Sequence, residues 1–168
     1  MSYRFVFIMK PARKGELIIG TLALESGREP EGIDLVDLWP VTSGCRWNQA
    51  TESCWTRNRG LLPPSNAIQG EYSIGTEIGH STNLKAVGEH LFTIWPLTVW
   101  DLGGNYKRQG LAVHFDANHA TSPGSGGCIV LTDLAEWESF MGQMKELCDS
   151  GIKEVPLTVE YETGGENV

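Results

Sequence analysis

A cysteine closes a glycine-rich turn, Gly126-Gly127-Cys128, just before the apolar run Ile129-Val130-Leu131. A histidine, His114, stands fourteen positions upstream in a second apolar run, Leu111–Phe115. A thiol attacks well only as the thiolate, and an imidazole within reach can take its proton. Consecutive glycines let the backbone turn tightly and present successive N–H groups, which can steady the oxyanion formed when a carbonyl is attacked. Nucleophile, base and oxyanion donors for acyl transfer through a thioester therefore fall within one stretch, with the N–H groups of Gly127 and Cys128 as the expected donors. If His114 lies in a strand, alternation puts it with Ala112 on one face and Val113 with Phe115 on the other. The neighbour of the base is then small and leaves room for a substrate. The carbonyl of Phe115 or the side chain of Asp116 can orient the imidazole. His119 reads as a solvated loop residue. His114, His119 and Cys128 would make a three-ligand metal set, but their spacing matches no zinc pattern, and neither a metal nor another cofactor is expected.

The elements that must position these groups are mostly strands. Tyr3–Met9 and Glu16–Leu24 are β-rich runs joined by a hairpin loop over 10–15. Gly32–Trp39 is a further apolar run ending at Pro40. Thr42–Asn66 is polar and rich in Gly, Pro, Ser and Asn; it is too long for an ordinary connection, so it is functional or folded on itself. Glu71–Ile78, His90–Trp100 (broken at Pro96), Leu111–Phe115 and Cys128–Leu131 follow. Leu157–Tyr161 alternates apolar and polar residues, the pattern of a strand with one wet face. One helix is predicted over roughly 133–149, since Leu134, Trp137, Phe140, Met141, Met144, Leu147 and Cys148 recur at helical spacing. Asp133 is its expected N-cap with Glu136 three residues on, and Gly151 its stop. Cys148 is expected to be a small buried apolar group on that helix. These elements describe a mainly β single domain over 1–163 with one main helix near the C-terminus, followed by a flexible tail over 164–168.

Composition narrows the function. The 168 residues carry a net charge of −8, from 13 basic and 21 acidic side chains. That argues against a nucleic-acid or anionic-membrane surface, and no apolar run is long enough to span a bilayer. The first ten residues read as a strand rather than a signal peptide, for they lack a long apolar region and a small-residue cleavage site. Cys45, Cys54, Cys128 and Cys148 match no zinc spacing. Cys45 and Cys54 share one polar, Trp-containing loop and are either bridged, outside the cytosol, or two free thiols, the preferred reading. The segments around Trp47, Trp55, Trp95 and Trp100 can wall a groove, with core packing the preferred role for Trp95 and Trp100. The oligomeric state is left open.

The run Val113-His114-Phe115-Asp116, followed by Pro123-Gly124-Ser125-Gly126-Gly127-Cys128-Ile129-Val130, resembles the active-site signature of the L,D-transpeptidase (YkuD-like) catalytic domain. In that family a strand histidine is paired with a later Ser-His-Gly-Cys turn followed by an apolar residue. Upstream, Arg59-Gly60-Leu61-Leu62-Pro63-Pro64 and then Glu71-Tyr72-Ser73-Ile74-Gly75 are similar to a strand-leading pattern common in such domains. The strong match covers about residues 108–131, and the order of elements fits most of the chain. The resemblance implies a β-rich sandwich or barrel with a helix beside the site. It also implies chemistry on the peptide stem of bacterial peptidoglycan, with Cys128 as nucleophile and His114 as base, acting in the periplasm or cell wall. Ser125 and Gly127 hold matching motif positions. Gly126 stands where the family has a histidine, Val130 where an arginine is frequent, and Phe115 where a small residue follows the base. Arg108 can supply the missing cationic contact from another strand. The substrate-binding residues expected on this basis are Ser125, Gly126, Arg108 and Asp116. The thiolate would attack at the diamino-acid centre and expel the terminal D-amino acid. An amine or water would then resolve the thioester, giving transpeptidase or carboxypeptidase activity. The alternatives are a peptidoglycan hydrolase serving as a lysin or antibacterial effector, and a non-catalytic peptidoglycan-binding module.

Overall fold

In this computed structural model, residues 2–11, 17–28, 30–45, 49, 54–55 and 60–162 are described. The loop over 12–16, Trp47, Arg59 and the tail from 163 lie outside them. Strands β1 (Ser2–Met9), β2 (Gly20–Arg28) and β3 (Gly32–Val41) form an antiparallel meander. Alternation in β1 sends Phe5, Phe7 and Met9 to the core. The remaining strands of the main sheet are β4 (Tyr72–Gly75), β5 (Gly79–His80), β6 (His90–Trp95), β9 (Ala112–Phe115), β10 (Ile129–Leu131) and β11 (Glu154–Tyr161). Their order is β10-β9-β6-β4-β11-β1-β2-β3, with β5 paired to β6. The pairs β1–β11 and β9–β10 are parallel and the others antiparallel. The ends of this order meet. Thr42, directly after β3, exchanges two backbone hydrogen bonds of 2.9 Å each with Val130 of β10. The sheet thus closes on itself as a barrel. A separate two-stranded ribbon pairs β7 (Thr98–Trp100) with β8 (Lys107–Gln109).

Helix α1 (Leu134–Asp149) fills this sheet with Trp137, Phe140, Met144 and Leu147. Phe140 is the hub of an aromatic cluster, with ring centroids 5.1 to 6.0 Å from those of Trp39, Phe92, Trp137 and Phe5. Each such pair adds about 0.5–1.5 kcal/mol beyond area burial. The Asp133 side chain accepts from the Glu136 N–H at 3.1 Å, so the expected cap forms. Gly151, with φ +87°, follows the last turn. The architecture is mainly β, with a single α-helix among the described residues, near the C-terminus. In β11, Val155, Leu157 and Val159 are buried and alternate with exposed or half-buried residues, as the pattern predicts.

Several expectations are corrected. The second strand starts at Gly20, and residues 17–19 stay out of the sheet because the main chain of Ile18 is taken by Gln49: the Ile18 N–H donates to Oε1 at 2.7 Å and the Ile18 carbonyl accepts from Nε2 at 3.2 Å; the predicted start at Glu16 lies outside the described residues. Cys148 is exposed, and Leu134 is 56% exposed, since both sit at the margin of the helix stripe that Trp137, Phe140, Met144 and Leu147 complete. Trp95 and Trp100 are exposed rather than in the core. Phe92 and Ile94 take the inward face of β6, which turns Trp95 outward; Trp100 lies under the Lys107 ammonium, 5.5 Å from the ring centroid. Among the described residues, no helix is long and apolar enough to cross a membrane.

Candidate active site

The parallel ladder of β9 and β10 pairs Ile129 with Val113, Val130 with His114 and Leu131 with Phe115. Val113, Ile129 and Leu131 belong to the core. His114, Val130 and Ala112 therefore share the opposite face, and Cys128 lies in the bend just before β10. A hydrogen bond from the Ala112 backbone supports the ionised form of the Cys128 sulfur, which ties the two positions together. The cysteine candidate thus lies just before β10 and is tied to β9, the strand of His114, at Ala112. Cys128 is half-buried, whereas His114 is 6% exposed.

The His114 ring is oriented by backbone. Its Nδ1 lies 2.7 Å from the Phe115 carbonyl, so Nδ1 carries the proton and Nε2 is left as acceptor. Asp116, the other expected orienting group, is fully buried and accepts from the Gly124 N–H at 2.7 Å. It pins the loop rather than facing a substrate. Burial pushes its carboxyl up, offset in part by the Gly124 bond. His119 is exposed, with Nδ1 2.9 Å from the Asp116 carbonyl and its ring edge against Phe115.

The turn before Cys128 is held by its own polar groups. The Ser125 hydroxyl donates to the Cys128 carbonyl at 2.6 Å and accepts from the N–H groups of Gly44 and Gly127 at 3.2 Å each. One donor and two acceptors exhaust a hydroxyl, so Ser125 builds the turn. One of the two expected oxyanion donors, the Gly127 N–H, is engaged by this latch at rest. Gly127 has φ +119°, and a Cβ there would collide with the Arg108 guanidinium. Gly124 has φ +97°, and a Cβ there would meet the Gly44 carbonyl.

Part of the long polar segment after β3 braces this turn. The Gly44 carbonyl accepts from the Ser125 N–H at 2.7 Å. The Ser43 hydroxyl donates to the Gly127 carbonyl at 3.2 Å and accepts from the Leu62 N–H at 2.9 Å. Gln49, 1% exposed, donates to the Thr42 hydroxyl at 2.8 Å and the Ser43 carbonyl at 2.9 Å. Sequence reasoning does not single out Thr42, Ser43, Gly44 or Gln49. The one signal was the length of that segment.

Arg108 reaches the turn from β8 and is 6% exposed. Its Nη1 donates to the carbonyls of Cys54 at 2.6 Å and Leu61 at 3.2 Å, and its Nη2 donates to the carbonyl of Gly126. Cys54 is a buried free thiol, so no disulfide joins it to Cys45. Burial pushes the Cys54 thiol up to about 11, with Arg108 opposing. Burial also pushes the Cys128 thiol up, opposed by the Ala112 bond and the Arg108 charge, and pushes the His114 imidazole down. Both shifts favour the uncharged forms, a thiol at Cys128 and an imidazole at His114. Such a pair can move a proton when an electrophile arrives. Among the described residues, no three His, Cys, Asp or Glu side chains are grouped to hold a metal ion.

No protein-family model matches the chain, and no curated protein matches it. Among solved structures, the chain is similar to one described as the structure of Bdellovibrio bacteriovorus Bd1075, at 19% sequence identity and a TM-score of 0.49. The similarity covers 94% of this chain and 48% of that one, so the chain spans about half the length of that protein.

Proposed function

We propose that this protein is a cysteine acyltransferase of the L,D-transpeptidase type, acting on peptidoglycan stem peptides through a thioester on Cys128. The observation that supports the reading is the β9–β10 register, which pairs His114 with Val130, two residues after Cys128, together with the His114 Nε2 left as acceptor. His114 takes the thiol proton as sulfur attacks the carbonyl carbon at the diamino-acid centre. The backbone N–H groups of the Gly127–Cys128 turn hold the oxyanion, the Gly127 donor exchanging its long bond to Ser125 for a charged one. Collapse expels the terminal D-amino acid, whose amine takes the proton from His114. Water or an acceptor amine then gives its proton to His114 and attacks the thioester carbon; the sulfur–carbon bond breaks and the departing Cys128 sulfur takes the proton back from His114.

Hydrolysis is the second reading, and one observation favours it. Gly126 is exposed and has no side chain to close the mouth of the site. A hydrolase used as a lysin or effector would share that chemistry, whereas a binding module would lack it. Incubation with purified muropeptides, read by mass spectrometry, separates these outcomes as new cross-links, trimmed stems or no change. Cys128→Ser should abolish turnover while the protein still folds. Full activity in that variant would refute the mechanism.

A further inference from the structure

Arg108 is a buried cation with no carboxylate partner among the described residues. Arginine is seldom buried unless paired. Its three hydrogen bonds go to the carbonyls of Cys54, Leu61 and Gly126, which satisfy N–H groups but do not cancel a unit charge. The guanidinium lies against Gly126 and Gly127, the two residues that lead into Cys128, and occupies the space a side chain at 127 would need. The other titratable groups around it are Cys54, Tyr72 on β4 and Tyr161 on β11. Tyr72 donates its hydroxyl to the Pro63 carbonyl at 2.8 Å, and Tyr161 donates to the Leu62 carbonyl at 2.6 Å. Burial pushes all three well up, so they stay neutral. Burial in β9 disfavours an imidazolium at His114, so the histidine is a poor standing counter-charge.

We propose that Arg108 is a positioning residue that holds a fixed positive charge beside Cys128 for its thiolate, while His114 serves only to move the proton. On deprotonation the proton passes to the His114 Nε2, and the charge left on the sulfur is balanced by Arg108, whose guanidinium packs on the turn that leads into Cys128. This goes beyond a substrate contact for Arg108. It rests on Cys128 being the nucleophile and is independent of what the substrate is.

Alkylation tests it without a substrate. Iodoacetamide forms a sulfur–carbon bond with the thiolate as iodide leaves, and peptide mass spectrometry reads the modification at each cysteine. Rates at Cys128 are measured across pH for the wild type, Arg108→Gln, Arg108→Lys and His114→Gln. Arg108→Gln should raise the midpoint by about one pH unit and slow alkylation at neutral pH about tenfold, the low end of what a nearby opposite charge does. Arg108→Lys should recover part of that shift, although it cannot make the three carbonyl bonds. His114→Gln should leave the midpoint in place. A purely structural Arg108 would lower thermal stability in both arginine variants without moving the midpoint, which would overturn the proposal. So would a midpoint raised as much by His114→Gln as by Arg108→Gln. If Arg108→Gln does not fold, the wild type still decides. At low salt, the rate with anionic iodoacetate relative to neutral iodoacetamide should be several-fold higher at Cys128 than at the exposed Cys148. Equal ratios at the two cysteines would overturn it. Failure of the muropeptide assay would leave these rates unchanged, so the two readings fail separately.

Discussion

Replacing Gly127 by alanine strikes the joint between the turn and Arg108. Two costs add. The backbone at φ +119° is one that L-residues rarely adopt, and holding a side chain there costs about 1–3 kcal/mol. The new Cβ also takes the place of the guanidinium, which must withdraw from the Gly126 carbonyl. A hydrogen bond to a charged group contributes about 1.5–3 kcal/mol, so Gly127→Ala should destabilise the fold by about 2.5–6 kcal/mol. Against a typical total of about 5–15 kcal/mol this is a large loss, equivalent to roughly 5–24 °C in Tm for a chain of this size. Gly110→Ala is the matched control. Gly110 has φ +67° with nothing within 4 Å of an added Cβ, so it carries backbone strain alone, about 1–2 kcal/mol. Urea denaturation of both variants under one set of conditions gives the comparison, and the excess cost at 127 measures the guanidinium contact. If Gly127→Ala costs no more than Gly110→Ala, Arg108 does not pack on the nucleophile turn, and the electrostatic role assigned to it falls as well.

The remaining predictions concern the base and the fate of the thioester. His114→Ala should lower the rate of muropeptide turnover at least about a hundredfold, the scale of a positioned base, and His119→Ala should matter much less; the reverse ranking would move the site into the loop. Because burial holds the His114 imidazole below its ordinary range, the unfolded chain binds more protons than the folded one as pH falls below that range. Stability should therefore drop with acidification from the ordinary imidazole value toward the lowered one, and His114→Gln should flatten that limb of a Tm–pH profile; identical slopes would contradict the buried neutral imidazole. With donor and acceptor stems both in excess, trimmed stems should outnumber cross-linked dimers, because the exposed Gly126 leaves the site open to water; dominant dimer would restore the plain transpeptidase reading.

Helix α1 is legible in the sequence because its signals are local: the 3.6-residue period, the Asp133 cap and the Gly151 stop lie within a few residues of one another. The face that His114 takes is legible for a similar reason. Alternation in one short strand sets it with Ala112 and away from Val113, which joins the core. The closure of the sheet is not legible. It rests on Thr42 meeting Val130 across most of the chain, with Gln49 and Ser43 supplying side-chain hydrogen bonds from a segment whose composition reads only as loop. Ser125 and Asp116 illustrate the same limit at the site. Their motif positions suggest contact with a substrate, but the partners that occupy them, the Gly44 and Gly124 N–H groups, are found only in three dimensions. Arg108 sits in a three-residue strand, too short for a period to reveal that its charged side chain turns inward.

The exposure of Trp95 bears on how the proposed site would meet a substrate. Apolar bulk is weak evidence for burial when a strand has two covered neighbours on one face and none on the other. In β6 the inward face is filled by Phe92 and Ile94, so Leu91, Thr93 and Trp95 must share the outward one. The β6–β9 register sets Leu91 opposite His114 and Thr93 opposite Ala112. The face that carries the base therefore continues onto β6 as an aliphatic side chain, a hydroxyl and an exposed indole in series. The turn on the other side of His114 is already held by Ser125, Asp116, Arg108 and the 42–45 segment, which leaves it little freedom to adapt to a ligand. On the proposed function, selectivity for one stem over another would then arise on β6, where Leu91 and Thr93 are half-buried and Trp95 is exposed, rather than at the turn before Cys128.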